Sequence, residues 1–222
     1  MNLIYQDNHL LVVEKPVNIP VQADSSQDED LLTMLKAYVK ETYNKPGNIY
    51  LGLVHRLDRP VGGVMVFART SKAAARLSKA VAERKLHKTY LAVVEGTASE
   101  KKNVWTDYLI KDTSNNTVSV TDKRHGKLAS LDYEVLAEKD GFSLLKINLH
   151  TGRSHQIRVQ TSSRGLPIWG DQRYNKHAVK HQQIALWSYR LEFEHPVTRE
   201  NMSFTCAPPD EYPYSLFKEV KL

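Results

Sequence analysis

The chain has 222 residues, a formal charge of +6, and 41% hydrophobic against 25% charged residues, a globular composition of a size that builds a core without covalent staples. Its one cysteine, Cys206, rules out a disulfide framework and a cysteine zinc ribbon. The aliphatic run Leu10–Val13, stopped by Glu14 and Lys15, is neither a signal-peptide core nor a membrane span, so a reducing, cytoplasmic setting is expected.

Leu3–Tyr5 and Leu10–Val13 flank Asp7-Asn8 and read as two strands around a tight turn. The acidic stretch Asp24–Asp30 precedes Leu31, Leu32, Leu35, Tyr38 and Val39, which stand at helical spacing. Acids in its first turn would suit the helix dipole, and Pro46-Gly47 closes the segment. Tyr50–Val54 and Val64–Ala68 read as short buried strands. Between them His55–Gly63 carries Pro60 and a Gly62-Gly63 pair, which demand a loop. Ser71 suits the N-cap of a helix over Lys72–Arg84. Strands follow at Thr89–Val94, Val118–Thr121 and Ser130–Ala137, and Asp140-Gly141 is a hairpin turn into Phe142–Leu149. Ser154–Ser163 reads as a further helix, and Leu186–Phe193 with Met202–Cys206 as a last hairpin around His195-Pro196. Strands dominate and pair with near neighbours. The pattern predicts an α+β fold, a mostly antiparallel mixed sheet flanked by helices, in a single domain over residues 1–222.

Charge is unevenly placed. Residues 69–102 hold 9 Lys/Arg against 3 Asp/Glu, and residues 151–182 hold 6 against 1. These windows carry +11 together, which leaves −5 on the rest. A basic face on a slightly acidic body fits a polyanionic partner, although a pair of solvated helices would give the same count.

Phosphate-binding glycine patterns for nucleotides are absent. His177 and His181 lie four apart without a third ligand nearby, Cys206 lies in an apolar strand, and no nucleophile elbow supports a hydrolase. Two loops carry chemistry. In His55-Arg56-Leu57-Asp58-Arg59-Pro60 the basic neighbours would keep the Asp58 carboxylate ionised, able to act as nucleophile or base. A salt bridge from Asp58 to Arg59 that merely caps the loop is the other reading. In His150–Arg158 a glycine, hydroxyls and two arginines suit phosphate binding, and equally suit capping by Thr151 or Ser154.

Four stretches in one order give these loops a common meaning. They are Val13-Glu14-Lys15-Pro16, then Val54-His55-Arg56-Leu57-Asp58 with Gly63, then His87-Lys88-Thr89-Tyr90-Leu91-Ala92, then Thr151–Arg158 followed by Gly165–Ile168 and Gly170-Asp171. Together, and with the tail Leu191–Pro196, they resemble the catalytic domain of the RluA family of pseudouridine synthases over essentially the whole chain. That resemblance implies the pseudouridine synthase fold and an RNA isomerase that flips specific uridines of ribosomal or transfer RNA and converts them to pseudouridine, without cofactor or metal. It makes Asp58 the essential carboxylate, Tyr90 the ring that stacks on the base and assists at C5, and Arg158 the partner that orients Asp58. Arg56 would fill the space left by the flipped base. His55, Arg59, Lys88, Arg153, Ser154 and His155 complete the expected RNA-binding set. The resemblance starts at residue 3, so no RNA-binding domain of the S4 type is expected ahead of it.

A cytoplasmic monomer acting on a compact stem-loop is the expected form. Two positions depart from the family pattern: Val61-Gly62 stand where threonine and serine are usual, and Asn175 where glycine is common. The first departure leaves open a non-catalytic RNA-binding factor. A metal-dependent nuclease built on Asp58 and histidines is the third reading.

Overall fold

The computed structural model describes residues 2–44 and 46–222. In chain order it contains β1 (Asn2–Gln6), β2 (Leu10–Lys15), α1 (Leu31–Thr42), β3 (Gly52–Leu53), β4 (Gly62–Ala68) and α2 (Ser71–Ala82). These are followed by β5 (His87–Glu95), β6 (Lys102–Asp112), β7 (Thr117–Thr121), β8 (Lys127–Lys139) and β9 (Phe142–Leu149). The last elements are α3 (Gln156–Ser162), β10 (Leu186–Glu194), β11 (Asn201–Thr205) and a 3-10 turn at Tyr214–Phe217. The chain is α+β with a mostly antiparallel sheet, as its strand pattern predicts. No described helix is long and apolar enough to cross a membrane.

Two compact units divide the chain: one holds residues up to His87 with Arg190–Cys206, the other Lys88–Tyr189 with Ala207–Leu222. In the first, the order is β1-β2-β4-β10, with β11 on β10 and β3 on β4. β2 and β4 pair from Leu10↔Ala68 to Lys15↔Gly63. Every residue of β4 is buried, and so are Leu10–Val13, so these strands are covered on both faces. α1 buries Leu31, Leu35 and Val39, and α2 buries Ala73 and Leu77.

Both helix caps differ from the expectation, and α2 starts one residue earlier. The N-cap of α2 is Thr70, whose hydroxyl accepts the Ala73 N–H (3.1 Å), and Ser71 is already helical. Thr70 holds the extended backbone that a cap needs. The acids before α1 do not enter its first turn. Asp30 caps instead, accepting Thr33 N–H and Thr33 Oγ1 at 3.0 and 2.8 Å.

In the second unit the strand order is β5-β9-β8-β6-β7. β8 and β9 join through Asp140 and Gly141, both at positive φ (53° and 79°), as a two-residue hairpin requires. β6 is an addition to the expected elements. Its inward positions are Trp105, Asp107 and Leu109, and the central carboxylate breaks the apolar alternation by which a strand is read. α3 is short and almost wholly buried, lying against β6 and β7.

The first unit is latched by Asp7. Its carboxylate accepts the N–H groups of His9 and Leu10 (both 2.7 Å), the Tyr5 hydroxyl (3.1 Å) and His195 Nε2 (2.9 Å). His195 is buried, and its Nδ1 accepts the N–H groups of Val197 and Thr198, so Nε2 carries the proton. Burial opposes the charge on Asp7, yet these donors together hold its pKa below the usual value. Asp7→Asn is expected to lower stability by about 1–3 kcal/mol at neutral pH. The native carboxylate stabilises above the usual aspartate range and loses that contribution as pH falls through its lowered folded pKa. Urea denaturation should therefore show the gap between wild type and D7N closing on the acid side of that range.

Candidate active site

The Asp58 loop belongs to the first unit and is held from both ends. At its start His55 is buried, and its Nε2 accepts the Val66 N–H of β4 at 3.1 Å. Leu57 is buried, Arg56 and Arg59 are exposed, and Asp58 is half-buried between them. The Val61 N–H returns to the Asp58 carbonyl at 3.0 Å, closing a turn around Arg59-Pro60. The Arg59 side chain turns to partners other than Asp58. Its guanidinium is ion-paired with Asp28 and donates through Nε to the Asn18 carbonyl (3.1 Å).

Lys15 grips the far end of the turn. It closes β2 with a side chain that is 0% exposed, and its Nζ donates to the carbonyls of Pro16, Arg59 and Val61 at 2.9, 2.9 and 2.8 Å. An ammonium has three hydrogens, and here each meets one oxygen. Burial lowers its pKa from 10.5 to about 7; the charge of Asp58 acts in the opposite sense, and Arg59 with burial. The lysine stands in the first of the four stretches, but local sequence offers no role for it, because two of its three partners lie 44 and 46 residues away.

The second unit carries the other expected site residues. Lys88 and Tyr90 stand two apart on β5 and so share a face; Tyr90 is buried opposite Ile147 of β9. Lys88 is half-buried, and burial lowers its pKa. The loop Thr151–His155 then leads into α3. Thr151 Oγ1 donates to Gln156 Oε1 (2.7 Å), which also accepts the Arg153 N–H (3.1 Å). Arg153 and Ser154 are exposed, with Arg153 Nε on the Leu128 carbonyl (2.8 Å).

Arg158 is buried and forked onto Asp171, Nε to Oδ2 at 2.8 Å and Nη2 to Oδ1 at 2.6 Å. Asp171 is itself 1% exposed and accepts the N–H groups of Arg173 and Tyr174 (3.0 and 3.2 Å), which fix its plane. The Arg158 guanidinium also lies 5.2 Å from the centre of the Tyr174 ring. The Tyr174 hydroxyl accepts the Val118 N–H (2.8 Å) and is 2.7 Å from Nδ1 of His155, a buried residue in left-handed backbone at φ 51°. Asp171 and Tyr174 are positioning groups that local sequence does not reveal.

His55 and His155, expected among the RNA contacts, thus lie inside their loops. Asn175 uses the side chain that glycine lacks, donating to Glu95 (2.6 Å) and the Ile168 carbonyl (3.1 Å). His177 sits 3.0 Å from Glu95. Among the described residues no group of three or more His, Cys, Asp or Glu could hold a metal ion.

A family model described as RNA pseudouridylate synthase matches residues 9–163. The chain is 34% identical to an uncharacterized RNA pseudouridine synthase of Aquifex aeolicus, over 96% of this chain and 71% of that protein. It is 28% identical to the ribosomal large subunit pseudouridine synthase D of Zymomonas mobilis, over 95% and 70%. The solved structure of human RNA pseudouridylate synthase domain containing 4 has a TM-score of 0.83 at 22% identity, covering 97% of this chain and 91% of that one. That last likeness is one of fold.

Lys15→Met keeps the volume but strips three interior carbonyls of their donor, and is expected to cost about 3 kcal/mol or more. Because the folded pKa of Lys15 is lowered, the unfolded chain binds more protons between about pH 7 and 10.5. The stability of the wild type relative to K15M should therefore rise across that window in urea titrations.

Proposed function

Because the chain belongs to the RNA pseudouridylate synthase family, in the branch typified by RluA, we propose that it converts specific uridines of ribosomal or transfer RNA to pseudouridine. The observation that carries this reading is the family match over residues 9–163, which takes in Asp58, Tyr90 and Arg158 together. The reaction breaks the bond from N1 to C1′, turns the base, joins C5 to C1′, and moves a proton from C5 while N1 gains one. Nothing is oxidised or hydrolysed. The protein has only to hold an unstacked base, supply one carboxylate and manage one proton.

In this proposal both compact units serve one cytoplasmic catalytic domain that needs no cofactor. Asp58 is the catalytic carboxylate, on a turn whose carbonyls are fastened by Lys15. Tyr90 offers the ring on which the flipped base stacks, and Arg56 fills the vacated space in the RNA. Arg158, its plane fixed by Asp171, orients Asp58. Arg59, Lys88, Arg153 and Ser154 face phosphates, whereas His55 and His155 shape the loops that present them.

Asp58→Asn is nearly isosteric and should abolish release of the C5 hydrogen from uridine while leaving RNA affinity close to wild type. Turnover retained in D58N would overturn the mechanism. Tyr90→Phe should slow the reaction with stacking intact, while Tyr90→Leu should in addition weaken binding of the flipped base by roughly 1–3 kcal/mol. A third comparison separates the arginines. Arg153→Ala should raise the RNA dissociation constant with little change in single-turnover rate. Arg158→Lys keeps a cation against Asp171 but loses the fork, and should cut the single-turnover rate at saturating RNA. A binding-only defect in R158K would remove the role given to Arg158.

A further inference from the structure

The second unit contains a cation that its own fold does not answer. Lys88 begins β5 on the face it shares with Tyr90, half-buried. Among the described residues none offers its Nζ a hydrogen bond or an ion pair, and its pKa is lowered by burial with no carboxylate acting against it. The fully buried cations of the chain are treated differently: Lys15 meets three carbonyls and Arg158 a carboxylate fork. A desolvated ammonium without an acceptor is held at a cost that an incoming anion would relieve.

The surroundings are shaped for such an anion. The Lys88 Nζ lies 3.3 Å from where a Cβ at Gly152 would stand, so the ammonium reaches close to the bare backbone of this loop and a side chain there would press on it. The loop is held in that shape by Gln156, which takes Thr151 Oγ1 and the Arg153 N–H. Among the described residues the N–H group of Gly152 donates to no other group, so a donor remains on this edge of the loop.

We propose that Lys88 and the Gly152 edge of the Thr151–His155 loop form a subsite for one backbone phosphate of the RNA beside the target nucleotide. The proposal rests on the reading of the chain as an RNA pseudouridine synthase and deepens it. A neutral acceptor such as a base carbonyl would satisfy the hydrogen bond but not the charge, and salt dependence tells the two apart.

The test measures the dissociation constant of the full chain for a fluorescent oligouridylate across a salt series, with circular dichroism as the check on folding. Lys88→Gln should weaken binding roughly fivefold at 0.1 M salt and reduce the slope of log affinity against log salt by about 0.7, the worth of one phosphate contact on a single strand. Lys88→Arg, which keeps the charge, should keep the slope. Gly152→Val retains every charge but fills the gap beside Nζ; it should weaken binding, and the double variant should be no worse than Lys88→Gln. The control Lys40→Gln, on α1, should leave the slope unchanged. An unchanged slope in Lys88→Gln, an equal loss in Lys40→Gln, or fully additive losses in the double variant would each overturn the subsite. If Lys88→Gln does not fold, Lys88→Arg with Gly152→Val decides on the same readout. Pseudouridine formation by the wild type with an unchanged Lys88→Gln slope removes the subsite alone. The expected slope change with no pseudouridine formed in ribosomal or transfer RNA removes the enzymatic reading and leaves the subsite standing.

Discussion

A cation placed inside a protein has to be met by oxygen, and both units of this chain are organised around that requirement. In the first unit the cation is Lys15, fully enclosed, with its three hydrogens on three carbonyls. Two of those carbonyls, Arg59 and Val61, flank the turn that follows Asp58, so the same bonds that settle the lysine fix the backbone of the Asp58 loop. In the second unit the cation is Arg158, enclosed with Asp171. Breaking such a pair from one side typically costs 3–5 kcal/mol, because the other charge stays buried. The same requirement therefore acts in both units: each loop assigned to the chemistry is fastened through a charge that cannot leave its partners cheaply.

Around α3 the requirement extends from charges to amides. Gln156, Arg158, Gln160 and Thr161 are all buried on a helix of seven residues. Gln156 Nε2 donates to Gln160 Oε1 (3.0 Å), Gln160 Nε2 donates to Asp107 (2.6 Å), and Asp107 is ion-paired with Arg164 (2.9 Å). Arg164 in turn lies over the Trp105 ring, 4.7 Å from its centre. A fully satisfied buried network of this kind sets side-chain rotamers more tightly than apolar packing does. It runs from the Thr151–His155 loop to the inward face of β6, which explains why a carboxylate stands at the centre of that face.

What the sequence reveals divides along the range of the forces involved. The β1–β2 hairpin, the Asp140-Gly141 turn and the α1 and α2 periodicities depend on near neighbours, and all are legible there. The Asp58 loop is legible too, since glycine, proline and clustered charge interrupt two apolar strands. β6 is not, because Asp107 interrupts its alternation, and the partners that make a buried carboxylate tolerable, Gln160 and Arg164, come more than fifty residues later. Lys15 and Tyr174 escape for a like reason, with partners at Arg59, Val61 and Val118 that lie 44, 46 and 56 residues away. The inward turn of His55 and His155 is hidden differently. Nothing in a histidine's neighbours tells whether its ring nitrogen will take a backbone N–H, a hydroxyl or a phosphate.

The two departures from the family pattern gain a physical account from these contacts. At residue 61 the bonds that shape the loop belong to the backbone: the N–H goes to Asp58 and the carbonyl to Lys15. The Val61 side chain is 2% exposed, so it fills the interior, and a hydroxyl there is not what holds the turn. Gly62 already belongs to β4, and Gly63, at φ 114°, pairs with Lys15 in the β2 ladder. The lysine thus touches this stretch twice, through its strand backbone and through its ammonium. With the main chain fixed in both ways, side chains at 61 and 62 can change without releasing Asp58. The exchange weakens the case for a chain that has lost its chemistry, because the altered residues are not the ones the loop is built from.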